Sequence, residues 1–138
     1  MTDKLDSGSK QDLITYRLSR AKDTLMEADY NADGGYLNAA VNRLYYACYY
    51  AASALMLKNN LEIATHAGIK RMLGLKFIMP GILEPEYGNI YQILFQNRQA
   101  SDYEDFMYCT EDHYNDLRPM AEKFILCMEN IINNHERV

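Results

Sequence analysis

The amino-acid sequence predicts an all-α fold, an up-and-down helical bundle of about four long helices plus one short helix. Apolar residues recur at spacings of three and four along most of the chain, which is the period of a helix that buries one face. Strand-like alternation never lasts for more than a few residues, and the sequence contains no internal repeat or low-complexity segment. Glycine, proline and asparagine residues separate the periodic segments and mark the predicted helix ends.

The first predicted helix spans residues 12–32 and ends at the sequence Asp33-Gly34-Gly35. Its apolar stripe consists of Ile14, Leu18, Ala21, Leu25 and Ala28. Residues 1–11 are polar and charged, so we expect a flexible tail there that is neither a signal peptide nor a membrane anchor. Residues 12–138 then form one helical-bundle domain, because a chain of 138 residues with 49% hydrophobic content can bury one continuous core.

The second predicted helix, from about Tyr36 to Lys58, is apolar or aromatic nearly all round. One stripe contains Val41, Leu44, Cys48, Ala52 and Leu55, and a neighbouring stripe contains Asn42, Tyr46, Tyr49 and Ser53. Such a helix needs partners on several sides, either at the centre of a bundle or at an interface with another subunit. Its uncharged run from residue 44 to residue 57 is too short to cross a bilayer, which takes about 20 residues.

Three further helices complete the predicted bundle. The third is short, from about residue 65 to residue 77, with Ile69, Met72, Leu73 and Phe77 as its buried set and Pro80-Gly81 after its end. The fourth covers about residues 86–99 and carries Arg98 one turn beyond Leu94 on the core-facing side, an unusual place for a charge. The fifth covers about residues 111–133, with Thr110 as its N-cap, and Pro119 should kink it or delay its start.

The charge balance and the cysteines limit the classes of function. A formal net charge of -5 and a sequence pI of about 5.1 argue against a broad basic surface for nucleic acid, so any RNA contact must be local. Cys48, Cys109 and Cys127 are odd in number and widely spaced. They indicate buried thiols in a reducing compartment, and the cytoplasm fits best.

The sequence indicates no metal site and no cofactor. A di-iron bundle needs Glu-x-x-His pairs on facing helices, and none occurs. Glycine-rich phosphate loops are absent as well. His66 lies where the third helix should begin, so we expect it to hydrogen-bond to backbone or solvent, with a catalytic role as the alternative. His113 and His135 are expected to be solvated.

Two segments resemble the HEPN superfamily, specifically its short stand-alone proteins. They are Ala40-Val41-Asn42-Arg43-Leu44-Tyr45-Tyr46-Ala47 in the second helix and Arg98-Gln99-Ala100-Ser101-Asp102-Tyr103 at the end of the fourth. The intervening Thr65-His66-Ala67-Gly68-Ile69 also resembles the turn of that branch before its third helix. The resemblance spans roughly residues 10–133. It implies a bundle that usually dimerises and often partners a minimal nucleotidyltransferase encoded nearby, in toxin-antitoxin or related defence systems.

Many HEPN proteins are metal-independent ribonucleases, in which an Arg is followed after about four to six residues by a His, and two copies meet across the dimer. Arg98 matches the Arg of this motif. The His is missing, because the window contains Tyr103 and extends to Asp105 without an imidazole. A phenol with a reference pKa near 10 and a carboxyl group near 3.9 are poorly matched to proton transfer at neutral pH. Arg98 could still stabilise a phosphorane through its fixed donors.

The same residues also permit a structural interpretation. A buried Arg98 must be paired, and Asp102 lies one helical turn further on if the helix continues, with Tyr103 available to close the network. Arg43 can bond the aromatic stripe around Tyr46, a carboxylate or a partner subunit. The tyrosines of the second helix are more often core or interface residues than platforms for nucleic-acid bases.

Three functions remain open at this level. The first is a homodimeric binding module that pairs with a nucleotidyltransferase or binds a nucleotide or RNA near Arg98. The second is an atypical endoribonuclease in which Tyr103, His66 or another group replaces the missing base. The third is a purely structural dimer whose Arg98, Asp102 and Tyr103 form a buried polar network. An Arg98 sealed beneath other side chains would argue against both ligand hypotheses.

Overall fold

The computed structural model is an all-helical bundle, as the sequence predicts, and it describes residues 7–103 and 108–134. The helices are α1 (Ser7–Asp33), α2 (Leu37–Lys58), α3 (His66–Met72), α4 (Pro85–Tyr103) and α5 (Glu111–Asn134). A π-helical segment, Leu73–Ile78, continues directly from α3. None of the helices in this described part is long and apolar enough to span a bilayer.

The central helix is α2, which packs against α1, α4 and α5. Twelve of its residues are buried, from Ala40 to Met56, and all of these except Ser53 join buried residues of the other helices in one continuous core. This confirms the first of the two positions that its all-round apolar pattern predicts. Where α2 does leave the core, it carries the half-buried Tyr46, Tyr49 and Tyr50.

The helix ends follow the predicted turn residues in most places. Gly35 has a φ of 85° after α1, and Asn60 has a φ of 60° after α2, which is the left-handed conformation that these residue types tolerate best. The Thr65 hydroxyl accepts a hydrogen bond from the Gly68 amide at 3.0 Å and caps α3. The Thr110 hydroxyl caps α5 in the same way by accepting from the His113 amide at 3.1 Å.

Several details differ from the predicted elements, among them the end of α4, which lies at Tyr103 and not near residue 99. Helix α1 begins at Ser7, so residues 7–11 of the expected tail are helical, while residues 1–6 lie outside the described part. Pro119 lies inside α5 and does not delay its start, so of the two expected effects the kink stays a prediction. The third helix does not remain α-helical to residue 77, because the Met79 amide bonds the carbonyl of Gly74, five residues earlier. Of its expected buried set, Ile69, Leu73 and Phe77 are buried and Met72 is half-buried.

The cysteines carry no disulfide. Cys48 is buried in α2, as expected, whereas Cys109 and Cys127 are half-buried. Burial raises the pKa of the Cys48 thiol well above its ordinary range, so this group stays protonated and unreactive in the folded protein.

Candidate functional site

Arg98 lies in the last turns of α4 and is paired with Asp102. The Arg98 Nε and Asp102 Oδ2 atoms are 3.3 Å apart, and the two side chains are 15% and 24% exposed. The helix continues to Tyr103, which places these residues one turn apart on the same face. The predicted ion pair is therefore present. Arg98 is largely covered but not sealed.

Local helix electrostatics do not favour this pair. A carboxylate in the last turn of a helix faces the negative end of the helix dipole, and Arg placed before Asp is the weaker order for a pair four residues apart. The contacts with α2 supply the missing stabilisation. The Asn42 side-chain amide donates to Asp102 Oδ2 at 2.9 Å, and the Arg98 guanidinium lies 5.3 Å from the centre of the Tyr46 ring. Tertiary packing thus holds the pair in place.

Arg43 joins the same network from α2. Asn42 Oδ1 accepts from Arg43 Nε at 3.1 Å and from Nη2 at 2.9 Å, so Asn42 links Arg43 to Asp102 and through it to Arg98. The Arg43 guanidinium also lies 5.3 Å from the Tyr46 ring centre. Two arginines from two helices therefore contact one tyrosine ring, and each gains a cation–π interaction with it.

Of the three partners considered for Arg43, the structure contains two. The aromatic stripe is represented by Tyr46, and the carboxylate is Glu27 of α1, whose Oε1 lies 3.5 Å from Arg43 Nη1. The Arg43 side chain is 29% exposed. The Arg43 side chain is therefore more accessible than that of Arg98.

His66 lies close to the arginine network, at the start of α3. Its Nδ1 is 3.0 Å from the Tyr45 hydroxyl, and its Nε2 is 3.1 Å from Gln92 Oε1. Because a Gln carbonyl oxygen only accepts, Nε2 carries the proton and Nδ1 accepts from Tyr45. The expectation of backbone or solvent partners for His66 was wrong. The imidazole is bonded to side chains of α2 and α4.

Aromatic packing explains why His66 points inward. Its ring stacks on Phe95 with 3.6 Å between ring centroids and an angle of 10°, and it also stacks on Tyr91 at 4.9 Å. Burial in this aromatic slot lowers the pKa of His66, and the positive charges of Lys70 and Arg98 lower it further, whereas the hydrogen bond that His66 Nε2 donates to Gln92 raises it. His66 is therefore neutral at pH 7, and Arg98 is near enough to influence it.

The remaining predicted positions contribute less to this site. Tyr103 is the last residue of α4, but its side chain lies outside the part that the structure describes. Asp105 and His135 lie outside it entirely. His113 is exposed, as expected, and also bonds Asn97 through its Nε2, which lies 2.6 Å from the amide oxygen. Within residues 7–103 and 108–134, no group of three or more His, Cys, Asp or Glu side chains could hold a metal ion.

The sequence reasoning missed Asn42, Tyr45 and Gln92 as members of the network. A signal existed for Asn42, because an uncharged polar residue beside Arg43 interrupts an otherwise apolar helix. No such signal existed for Gln92, which reaches His66 only because α3 and α4 pack side by side.

The protein is thus an all-α bundle in which two arginines are held against the tyrosines of a central helix. Its sequence also matches a known protein family. The HEPN domain model matches residues 14–136, and the chain belongs to the HEPN domain family. The resemblance of its motifs to that family is confirmed.

Several curated proteins are similar to this chain. The UPF0332 protein of Thermotoga maritima is 31% identical over 128 residues, which is 93% of this chain and 97% of that protein. A Methanocaldococcus jannaschii protein named "Putative toxin MJ0605" is 42% identical over 64 residues, or 46% of this chain and 48% of that protein. A second protein of that organism, "Putative toxin MJ0142", is 25% identical over 87 residues, or 63% and 59% of the two chains.

Proposed function

We propose that this protein is a homodimeric HEPN binding module of a toxin-antitoxin or defence-type system, and that it binds the phosphate of a nucleotide or RNA at Arg98 and Arg43. The observation that supports this most directly is the continuous chain from Arg43 through Asn42 and Asp102 to Arg98, with both guanidinium groups over Tyr46. Guanidinium donors held in fixed orientation are well suited to phosphate oxygens.

The charge of the whole protein makes such a site local. The chain carries a net charge of -5, so nucleic acid is not attracted by its surface as a whole. Arg43 and Arg98 concentrate positive charge at one point, and Tyr46 offers a ring face beside it. A nucleotide or an RNA end can then bind with its phosphate at the arginines and a base near the tyrosine. Asp102 competes with the phosphate for Arg98.

The toxin names of two relatives support the cellular setting of the proposal. The resemblance to stand-alone HEPN proteins supports dimerisation and a nucleotidyltransferase partner. In the composite site that the resemblance implies, the second copy of the dimer would bring a second Arg98 to the ligand. Light scattering after gel filtration should give the mass of two chains, and co-purification with a nucleotidyltransferase encoded next to this gene tests the partnership. A monomer, or a neighbouring nucleotidyltransferase that does not co-purify, would contradict the corresponding part.

Phosphate binding is tested by fluorescence anisotropy with a labelled single-stranded RNA of about twelve nucleotides. We expect the Arg43→Ala variant to lose about fivefold in affinity or more, since one phosphate contact at a partly exposed arginine contributes about 1 kcal/mol. Its salt dependence should also become shallower by about 0.7, the value for one contact on a single strand.

Arg20→Ala is the matched control. Arg20 also lies over a tyrosine ring, Tyr50 at 4.9 Å, and also pairs with Glu27, at 3.7 Å, with a side chain that is 32% exposed. Each variant therefore removes one positive charge, one cation–π contact with a tyrosine ring and one ion pair with Glu27. Equal affinity losses in both variants would show a non-specific charge effect and would contradict a site at Arg43 and Arg98.

Metal-independent ribonuclease activity is the second candidate, and the position of His66 favours it. The imidazole of His66 is neutral at pH 7, and it is close enough to Arg98 for the positive charge of Arg98 to lower its pKa. It could supply the proton transfer for which no His is present four to six residues after Arg98. Its Nδ1, however, already accepts from the Tyr45 hydroxyl. Catalysis would require that hydrogen bond to break.

The ribonuclease is tested with purified protein, EDTA, and both structured and single-stranded RNA. Wild type should cleave, while Arg98→Ala and His66→Gln should each lose activity by two orders of magnitude or more if both act on the reacting phosphate. Cleavage that persists in both variants, or none in wild type, would exclude this candidate and leave the binding module.

A further inference from the structure

An open groove of about 750 Å³ lies beside α3, apart from the arginine network. Its walls are α3, the π-helical segment with Met79 directly after it, and one residue of α4. The volume is within the range of roughly 300–1,000 Å³ that small-molecule sites occupy. Only His66 and Gln92 are shared with the site described above.

The π-helical segment and Met79, the residue that follows it, give this groove its apolar wall. Leu75, Ile78 and Met79 line it, and Leu75 and Met79 are 40% and 76% exposed. Large apolar side chains that are exposed next to one another mark binding surfaces more often than scattered ones do. A π-helical turn inside a helix is also found frequently at functional sites.

The charged groups of the groove are all basic. Lys70 and Arg71 of α3 line it, and no acidic residue does so in the described part of the chain. No carboxylate among residues 7–103 and 108–134 forms an ion pair with either of them. The protein has a net charge of -5, yet these two cations have no acidic partner in the part of the chain that the structure describes. Beside an apolar wall they are complementary to an amphipathic anion.

We propose that this groove binds a small amphipathic anion, with its apolar body against Leu75, Ile78 and Met79 and its carboxylate or phosphate head at Lys70 and Arg71. The proposal does not depend on phosphate binding at Arg98. Arg43 and Arg98 do not line the groove, so Lys70, Arg71 or Gly74 can be replaced while the two arginines are left intact.

Gly74 provides a direct way to fill the groove. It lines the groove, its φ is not in the left-handed region, and a Cβ built on it meets no atom within 4 Å. A Cβ at this position therefore causes neither a clash nor backbone strain. Gly74→Leu should occupy the apolar part of the groove, whereas Gly74→Ala should leave most of it open.

The test is a titration of the ¹⁵N-labelled protein with sodium decanoate below its micelle concentration, followed by amide chemical shifts. We expect saturable binding with shifts centred on residues 66–79. The Lys70→Ala/Arg71→Ala double variant should weaken binding about fivefold, Gly74→Leu should abolish it, and Gly74→Ala should largely keep it. Lys76→Ala removes an exposed charge of the same segment outside the groove lining and should leave binding unchanged.

Three results would overturn the proposal. Decylammonium that binds as tightly as decanoate would remove the role of Lys70 and Arg71. Decanoate affinity retained by Gly74→Leu would place the ligand elsewhere. A change of molecular mass in Gly74→Leu, measured by light scattering, would identify the groove as an interface between protein chains. If Gly74→Leu does not fold, as judged by circular dichroism, the double variant and the decylammonium comparison decide the matter.

Discussion

Replacement of Asp102 by Asn separates a binding role of the arginine network from a purely structural one. Asp102→Asn keeps an oxygen that can accept from the Asn42 side-chain amide, so the link between α2 and α4 is retained. It removes the carboxylate that lies 3.3 Å from Arg98 Nε. If Arg98 binds phosphate, the variant frees the guanidinium from its internal competitor. Binding should then become tighter while the fold becomes less stable.

Both magnitudes follow from the geometry. An ion pair between side chains that are 15% and 24% exposed contributes about 1 kcal/mol to the free energy of unfolding, so the melting temperature should fall by roughly 4 °C. Loss of a carboxylate about 4 Å from a bound phosphate removes a repulsion of about 1 kcal/mol in a water-like medium. The RNA affinity should therefore rise about fivefold.

The assay combines thermal unfolding with RNA anisotropy, and Asp116→Asn is the control. Asp116 is exposed on α5, so its replacement makes the same change of net charge away from the network. An Asp102→Asn variant that folds but binds RNA no more tightly than Asp116→Asn would refute the competition between Asp102 and phosphate. A loss of stability without a gain in affinity is what a structural network predicts.

Four further outcomes are expected. Burial, with the charges of Lys70 and Arg98, lowers the pKa of His66 below 6.5, so this side chain binds fewer protons in the folded protein than in the unfolded chain. The stability of the protein should therefore fall as the pH drops through the pKa of His66 in the unfolded chain and then through its pKa in the folded protein. Urea unfolding of the His66→Gln variant should show a smaller fall. Thr110→Ala should cost about 1 kcal/mol, measured by urea unfolding, since it removes the α5 cap. Cys48 should react with a thiol reagent only in urea, whereas the other cysteines react in the native protein. A 5′-phosphorylated RNA should bind more tightly than its 5′-hydroxyl counterpart by about fivefold, and Arg98→Ala should remove the difference, since the terminal phosphate carries more charge than a diester.

The arrangement of helices could be predicted because burial imposes a period on the sequence. The stripe from Ile14 to Ala28 is buried as predicted, and α2 is central because its apolar residues have no single face. Boundaries that face solvent carry no such signal, so the start of α1 at Ser7 was missed. The change from α to π geometry at Leu73 was missed as well, since both helix types bury Leu73 and Phe77.

In the candidate site, contacts within one helix could be predicted from the sequence, whereas contacts between helices could not. The Arg98–Asp102 pair could be predicted because both residues belong to one helix and their spacing fixes their separation. The contacts of Asn42 and His66 depend on how α2 and α3 are rotated against α4, which one sequence does not specify. His66 is the clearest example. Its position at the start of a helix predicts contact with backbone or solvent, but stacking on Phe95 orients its ring toward the inside of the bundle.

The placement of Asp102 itself bears on the choice between a structural and a binding network. A neutral acceptor in the last turn of α4 could bond Asn42 equally well and would avoid the repulsion from the helix dipole. Among the residues that the structure describes, the partner that needs a full negative charge there is Arg98, whose guanidinium is partly withdrawn from water over Tyr45 and Tyr46. Asp102 thus acts as a counter-ion for an arginine that stays charged, oriented and partly exposed. A phosphate that replaces this counter-ion meets a guanidinium already held in place by the two rings.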